Sequence, residues 1–324
     1  MKIGITYDLK SDYFCEGLEE EDLAEFDRQD TVDFIEGALA AKGFETDRVG
    51  HLKSLTARLA CGDRWDLVFN IAEGLYGFGR ESAVPALLDS YRIPYTFSDP
   101  MTMGLTLHKG MAKHVMRSLA IPTPDFTLVR SMKDLEDFSL SFPVFAKPVA
   151  EGTSKGIDRM SKITTSEQLA VRCSHLLSRY CQPVLVEAYL PGREFTVGVL
   201  GEGYEPVWSM ALEIRYRDPS NDQIYCYQTK ELCEDLIDYM PAEDTTALRC
   251  VDLALDAWQG FGLRDAARID LRLDSEGQPA VLEINPLPGM HPSHSDLPIM
   301  WSQNGLAYDH LIASITRSCL SRSQ

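Results

Sequence analysis

The stretch Glu283–Asp296, with the sequence EINPLPGMHPSHSD, places an acid and an amide close together at the end of an apolar run. The earlier run ARIDLRLD carries Asp270, and the segment SEGQ joins the two runs. Because Gly277 can take a positive φ, this segment predicts a tight hairpin. Residues two apart on a strand face the same side, so Asp270 is expected beside Glu283 and Asn285.

Two carboxylates and one amide oxygen on a shared face are hard oxygen ligands. Mg²⁺ takes such ligands when it also holds nucleotide phosphates. The alternative is a polar outer face of an ordinary hairpin. Both strands are otherwise apolar, which favours Asp270, Glu283 and Asn285 as metal ligands.

Length and composition indicate a globular protein of two or three small domains, with 324 residues, 44% hydrophobic and 25% charged. The net charge of −18 disfavours nucleic acid and anionic lipid as partners, but it permits a phosphate ligand in a locally basic cleft. The start, MKIGITYDLK, resembles a first strand more than a signal peptide. No apolar run of about eighteen residues predicts a membrane span, so we expect a cytoplasmic protein.

Other acidic, cysteine and histidine residues suggest little chemistry by themselves. The eight cysteines include no CxxC pair, so reduced thiols are expected. His291 and His294 have no third ligand near in sequence, so a zinc site is not expected. The acidic segment Glu16–Asp30, EGLEEEDLAEFDRQD, is interpreted as a solvated loop or an exposed helix.

The first hundred residues alternate strand and helix patterns. KIGITY, WDLVFNIAEG and IPYTFS predict strands, while DTVDFIEGALAAKG and ESAVPALLDSY predict helices. This order predicts a small doubly wound parallel sheet. Functional residues should follow its carboxyl strand ends, where Tyr7 and Asp8 lie, and Asp27 is a further candidate.

The rest of the chain predicts two mixed units. FPVFAKPV and PVLVEAYL read as strands around a helix at 164–180, opened by a capping box of Thr165 and Gln168. EFTVGVLG, VWSMALEI and the two hairpin strands follow, with an amphipathic helix at 245–262.

The loop inside FAKPVAEGTSKG offers a phosphate site. Lys147 ends an apolar strand, and Gly152 and Gly156 flank Thr153 and Ser154. Such a loop can direct N–H groups and hydroxyls at phosphate oxygens. The loop matches neither the Walker P-loop nor the dinucleotide fingerprint, and Lys147 alone could be a surface lysine. The combination of this loop with the predicted metal-binding hairpin favours phosphate binding.

Five ordered motifs resemble those of D-alanine–D-alanine ligases of the ATP-grasp superfamily: EGLYGFGRESAVPALLDSYRIPYT, LHKGMAKHVMRSLAIPTP, FAKPVAEGTSKG, LVEAYLPGREFTVGVLG, and ARIDLRLD with LEINPLPGM. The resemblance runs from about Asn70 to the C-terminus. It implies an α/β protein with the ATP-grasp fold, in which central (106–192) and C-terminal (193–324) α+β domains sandwich ATP. The doubly wound domain would cover 1–105, and a homodimer is implied.

The resemblance also implies roles for particular residues. Lys109 and Lys147 would contact phosphates, Glu187 with Ala188–Leu190 would bind adenine, and Glu194 would bind ribose. Two Mg²⁺ ions, with Mn²⁺ as an alternative, would bind Asp270, Glu283 and Asn285. The residues implied at the reacting groups are Arg268, Thr153, Ser154 and Lys230.

Departures from the family fall in the pocket for the first amino acid. The long acidic segment replaces a short loop bearing an ammonium-binding glutamate, and Glu73 and Glu231 replace a histidine and a tyrosine. Glu73 could be a new ammonium anchor or a simple loop acid, and both interpretations stay open. Gly289, Ser293 and Ser295 align with the second-substrate site.

The leading hypothesis is an ATP-dependent carboxylate–amine ligase that acts through an acylphosphate on amino acids, with a first substrate other than D-alanine. The alternatives are an authentic D-alanine–D-alanine ligase of peptidoglycan synthesis, an ATP-grasp kinase and an ATP-binding regulatory protein.

Overall fold

A computed structural model describes residues 1–217 and 237–322 of the chain. Its first sheet has three parallel strands in the order β2-β1-β3. They are β1 (Lys2–Thr6), β2 (Glu45–Arg48) and β3 (Leu67–Asn70). The helices of this part are α1 (Gln29–Ala41), α2 (Leu52–Ala60) and α3 (Ala83–Tyr91). The parallel sheet agrees with the prediction.

Two details of this first unit differ from the predictions. IPYTFS is no strand: it makes one bridge, between Val68 and Tyr95, with backbone hydrogen bonds on either side. Strand β2 and helix α2 were not predicted. The sequence of β2 is ETDR, whose four residues are all polar and none of them buried, so it lacks the apolar pattern of a strand.

The second sheet has four antiparallel strands in the order β4-β7-β5-β6. Helices α4 (Pro100–Leu107) and α5 (Lys109–Ser118) precede it, and α6 (Ser166–Tyr180) packs on β5. Thr165 caps α6 by accepting from the N–H of Gln168, as predicted, while the Gln168 amide oxygen accepts from Thr164. The strands are β4 (Phe126–Val129), β5 (Val144–Pro148), β6 (Lys162–Ile163) and β7 (Val184–Ala188).

The third sheet has five antiparallel strands in the order β10-β9-β8-β11-β12. They are β8 (Glu194–Glu202), β9 (Glu205–Tyr216), β10 (Ile237–Pro241), β11 (Ala266–Leu273) and β12 (Pro279–Asn285). The long helix α7 (Thr245–Phe261) packs across β8, β9 and β12. The hairpin turn between β11 and β12 has Gly277 at φ +75°, as predicted.

The C-terminal helices α8 (Asp296–Gln303) and α9 (Tyr308–Arg322) return to the first unit, where α9 packs against α1. One apolar core therefore joins Ile3 and Ile5 of β1 to Ile315 of α9 and to Leu287 after β12. This shared core fixes the segment after the hairpin relative to the first sheet. The domain boundaries 1–105, 106–192 and 193–324 remain a prediction.

The acidic segment is not the solvated loop or exposed helix that composition suggests. It contains the short 3-10 helix Glu20–Leu23, and a second one, Lys10–Glu16, runs into its start. Leu23 and Phe26 are buried together with Tyr13. That prediction was wrong because the acids have partners elsewhere in the chain. Separately, no helix among the described residues has the length and hydrophobicity needed to span a bilayer.

Candidate active site between two pockets

The hairpin brings the predicted metal ligands together. Asp270 lies directly across from Glu283, and Arg268 lies across from Asn285. The amide nitrogen of Asn285 donates to Asp270 at 3.2 Å. Burial and the nearby Glu283 carboxylate raise the pKa of Asp270, although Arg268 opposes this. The side chains of Asp270, Glu283 and Asn285 are here named the metal-ligand face. Arg268 pairs with Asp270 and lies 3.4 Å from Asp296, so two carboxylates hold it beside this face.

This donor set fits a hard divalent cation. Asp270 and Glu283 carry like charges at close range, and a cation between them would relieve their repulsion. The described residues contain no group of three histidine, cysteine or acidic side chains placed to hold a metal. The protein thus offers two carboxylates and an amide, and phosphate or water oxygens would have to complete the coordination of Mg²⁺.

A pocket beside β7, here named the β7 pocket, collects most of the residues implied for ATP. Six of them line it: Lys147, Glu187, Ala188, Tyr189, Leu190 and Glu194, and Ser154 of the residues implied at the reacting groups lines it as well. Asp270, Arg272 and Glu283 line it too. Arg272 pairs with Glu194 at 3.1 Å, and burial nevertheless raises the pKa of Glu194.

Glu187 is held by two lysines at the back of the β7 pocket. Its two oxygens lie 2.8 Å from Lys113 and 2.8 Å from Lys147. Burial alone would raise the pKa of Glu187, but the two lysines together lower it. Burial lowers the pKa of Lys113 to about 8 against the opposing effect of Glu187. Each oxygen of Glu187 keeps capacity for another donor, such as an amino group of a base.

The sequence patterns did not identify Lys113 as a site residue. It is fully buried on α5, one turn after Lys109, so both lysines face the same side of that helix. The spacing HKGMAK is the signal that could have revealed it. Lys109 lies 3.5 Å from Glu283 and donates to the carbonyl of Glu151 at 2.6 Å. It therefore connects the metal-ligand face to the loop 151–156, which we call the glycine loop.

The glycine loop is held in an unusual backbone conformation. Thr153, Ser154 and Gly156 have φ values of +48°, +56° and +68°. Left-handed φ is unfavourable for threonine and serine, and it persists where the surroundings fix the loop. Thr153 faces the second pocket described below, and Ser154 faces the β7 pocket. The loop therefore separates the two pockets.

Glu25 of the acidic segment fixes this loop. Its side chain, 6% exposed, lies 2.7 Å from Arg80 and 3.9 Å from Lys155. It also accepts a short hydrogen bond from the N–H of Gly152. Arg80 in turn donates to the carbonyl of Ala150 at 2.8 Å. Neither Glu25 nor Arg80 was singled out in the sequence, because the partners lie far apart along the chain.

A larger pocket, here named the acidic pocket, lies on the other side of the glycine loop. The residues implied for substrates or chemistry that line it are Glu73, Lys109, Thr153, Arg268, Gly289 and Ser295. Asp27, another candidate, lines it as well. Asp8 instead accepts from the N–H of Gly74 at 2.9 Å and so holds the loop that carries Glu73.

The outcome for the remaining substrate candidates is mixed. Ser293 is exposed and lines neither pocket, and its substrate role stays a prediction. The Ser295 hydroxyl accepts from the N–H of His291 at 3.0 Å beside Gly289. Lys230 and Glu231 lie outside the described residues.

Glu283 lines both pockets, so the metal-ligand face lies where they meet. The two pockets are therefore adjacent at Glu283. Arg268 and Lys109 supply positive charge on the acidic-pocket side of this junction.

Sequence comparison places the chain among known proteins. Residues 115–317 match the family model described as D-ala D-ala ligase C-terminus. The D-alanine–D-alanine ligase of Xanthomonas axonopodis pv. citri is 30% identical over 290 residues, covering 87% of each chain. A protein of Sinorhizobium fredii described as uncharacterized protein y4sG is 35% identical over 255 residues, covering 77% of this chain and 73% of that one.

Structural comparison confirms the predicted α/β ATP-grasp fold. The crystal structure of D-alanine–D-alanine ligase from Bacillus anthracis matches with a TM-score of 0.75 at 20% identity. The match covers 100% of this chain and 98% of that one. The same enzyme complexed with ATP gives a TM-score of 0.74. The family model spans more than half of the chain, and the chain belongs to the D-alanine–D-alanine ligase family of the ATP-grasp superfamily.

Proposed function

We propose that the protein is an ATP-dependent ligase that joins the carboxylate of an amino acid to an amine, with release of ADP and phosphate. Family membership supports the reaction class. The single observation that carries the proposal is the junction of two pockets at Glu283. One pocket suits a nucleotide and the other suits an acid and an amine.

The proposed reaction has two steps. A carboxylate oxygen of the acid attacks the γ-phosphorus of ATP, and ADP leaves. The neutral amine then attacks the carbonyl carbon of the acylphosphate and loses a proton, and phosphate takes up this proton as it leaves with the oxygen that came from the carboxylate. The first step creates a good leaving group on a carbon that is otherwise a poor electrophile.

Residues at the junction have distinct proposed roles. Asp270, Glu283 and Asn285 would hold Mg²⁺, which when bound neutralises charge on the phosphates. Lys109 and Lys147 offset the remaining negative charge, and Arg268 stabilises the oxyanion formed when the amine attacks.

Other residues bind the two ends of the nucleotide and exclude water. Glu187, Ala188 and Leu190 suit the base, and Glu194 with its partner Arg272 suits the ribose. Thr153 and Ser154 on the glycine loop face opposite pockets and so can contact both reactants. A dry junction protects the acylphosphate from hydrolysis.

The first acid is proposed to differ from D-alanine because Asp27, Glu73 and Glu81 all line the acidic pocket. Glu73 is the proposed anchor for the α-ammonium group of this acid. Gly289 and Ser295 are proposed at the amine-substrate side. A homodimer is a further proposal that sedimentation velocity would test, and use of ATP supports a cytoplasmic location.

The test is ADP release across D- and L-amino acids, singly and in pairs, with products identified by mass. The expected result is ADP formation that requires both an acid and an amine and yields an amide. ADP formation without an amine would indicate a kinase. Amide formation from D-alanine alone would indicate an authentic D-alanine–D-alanine ligase, and bound ATP without turnover would indicate a regulatory protein.

A further inference from the structure

The wall of the acidic pocket built by the first hundred residues carries four carboxylates: Glu25, Asp27, Glu73 and Glu81. Glu25 has cationic partners, since Arg80 and Lys155 lie within 4 Å of it. The other three carboxylates have no ion pair within that distance among the residues that the structure describes. The wall therefore holds more negative charge than the protein offsets.

Glu81 shows this imbalance most clearly. Glu81 as a whole residue is only 9% exposed, yet it lines the pocket. Within residues 1–217 and 237–322 it makes no hydrogen bond and no ion pair. A buried carboxylate without a partner is costly, and a cation bound in the pocket would remove that cost.

The pKa values of the three carboxylates without ion pairs are all raised, as expected for buried acids that lie near one another. Burial and neighbouring carboxylates raise the pKa of Glu73 well above its ordinary value. Burial is also the main cause that raises the pKa of Asp27 and of Glu81 to about 7 each. Arg80 and Lys109 oppose the rise at Glu81 without cancelling it. At Asp27 the hydrogen bond with Thr31 opposes the rise most, and Lys10 opposes it less.

The cations that line the pocket are mostly engaged elsewhere. Arg28 pairs with Asp30 at 3.1 Å, and Lys109 lies 3.5 Å from Glu283. Arg268 pairs with Asp270 and Asp296 at the junction. Of the lysines and arginines that line the pocket, only Lys10 has no ion pair of its own among the described residues. Asp27, Glu73 and Glu81 therefore face one ammonium group in this wall. When all three carboxylates are ionised, the formal excess is two negative charges.

A metal ion does not explain this excess. The described residues contain no three acidic or histidine side chains grouped closely enough to hold one. The carboxylates come from separate segments around an open cavity, which suits an organic cation with spaced charges. One α-ammonium group would offset one of the two charges and leave the other.

We propose that the acidic pocket binds a diamino acid, with its carboxylate directed to Arg268 and its two ammonium groups to the wall of carboxylates. Glu73 receives the α-ammonium group, and Glu81 with Asp27 receives the second. This inference rests on the proposed ligase function and names the substrate class for the acid that is activated.

The test compares amino acids matched in size but not in charge. The pairs compared are 2,3-diaminopropionate with serine and 2,4-diaminobutyrate with homoserine, each as D- and L-isomers. ADP formation is measured at saturating ATP and Mg²⁺ with a fixed panel of amines. We expect kcat/KM for the diamino acid to exceed that for the hydroxy acid by roughly tenfold or more, since a charge-assisted hydrogen bond is gained.

Two outcomes would overturn the inference in distinguishable ways. Turnover of the neutral acids at an equal or higher kcat/KM would leave the ligase function intact and remove the diamino substrate. No ADP formation with any acid and amine would remove both the ligase function and this inference.

A variant locates the second ammonium site. Glu81→Gln should reduce the preference for the diamino acid by roughly tenfold, because it removes charge and keeps shape. Glu136→Gln is the matched control, since Glu136 is exposed and lines neither pocket. Thermal unfolding of both variants checks folding. An unchanged preference in a folded Glu81→Gln variant would contradict the assignment.

Discussion

Glu25→Gln is the substitution that best isolates the contact between the acidic segment and the glycine loop. Glutamine keeps the shape and an oxygen that can accept from the N–H of Gly152, but it removes the charge opposite Arg80. Both side chains of this pair are nearly buried, at 6% and 7% exposed. Breaking a buried ion pair by removing one partner costs about 3–5 kcal/mol.

We expect the lower end of this range, about 3 kcal/mol, because Arg80 keeps its hydrogen bond to the carbonyl of Ala150. Denaturant unfolding measures the loss. Glu19→Gln is the control from the same segment: Glu19 is 77% exposed and pairs with Arg179 at 3.1 Å. An exposed pair contributes less than about 1 kcal/mol.

The loss should also depend on pH. Burial alone would raise the pKa of Glu25, but Arg80 and Lys155 lower it below its ordinary value. A carboxylate with a lowered folded-state pKa stabilises the fold above its unfolded pKa, and this contribution disappears as pH falls through the folded pKa. The difference between wild type and Glu25→Gln should therefore shrink in acid. Equal losses of unfolding free energy for Glu25→Gln and Glu19→Gln near neutral pH would contradict a stabilising buried pair between Glu25 and Arg80.

Three further predictions concern the site. Glu283→Gln should lower Mg²⁺-dependent ATP turnover by about a hundredfold or more with little change in thermal stability; retained turnover would remove Glu283 from the metal site. Glu73→Gln should raise KM for the acid more than KM for ATP, whereas equal values would make Glu73 a simple loop acid. KM for the acid should rise as pH falls below about 7, because Asp27 and Glu81 then take up protons and lose the charge that attracts ammonium groups. A KM for the acid that stays constant from about pH 8 to 6 would contradict this.

The metal-ligand face could be predicted from sequence because it depends on local rules. Strand alternation and the turn at Gly277 suffice to place Asp270 across from Glu283. The glycine loop was recognisable for the same reason, since its glycines and hydroxyl residues are contiguous. The family resemblance then implied which residues face ATP.

Contacts between distant segments could not be predicted in this way. The acidic segment looked solvated because composition does not reveal that Arg80 and the N–H of Gly152 lie opposite Glu25. Its outer acids likewise meet Arg179 on α6. Lys113 gains its role only because α5 packs near β7, which places it against Glu187.

If ATP activates an acid in the acidic pocket at the Glu283 junction, one oxygen of its carboxylate must leave with the phosphate. The most direct measurement uses the acid that supports turnover, labelled with ¹⁸O in its carboxylate, and determines the isotope content of the released phosphate by mass spectrometry. We expect one ¹⁸O atom in each phosphate, carried over through the acylphosphate. Phosphate without ¹⁸O, alongside amide formation, would contradict it.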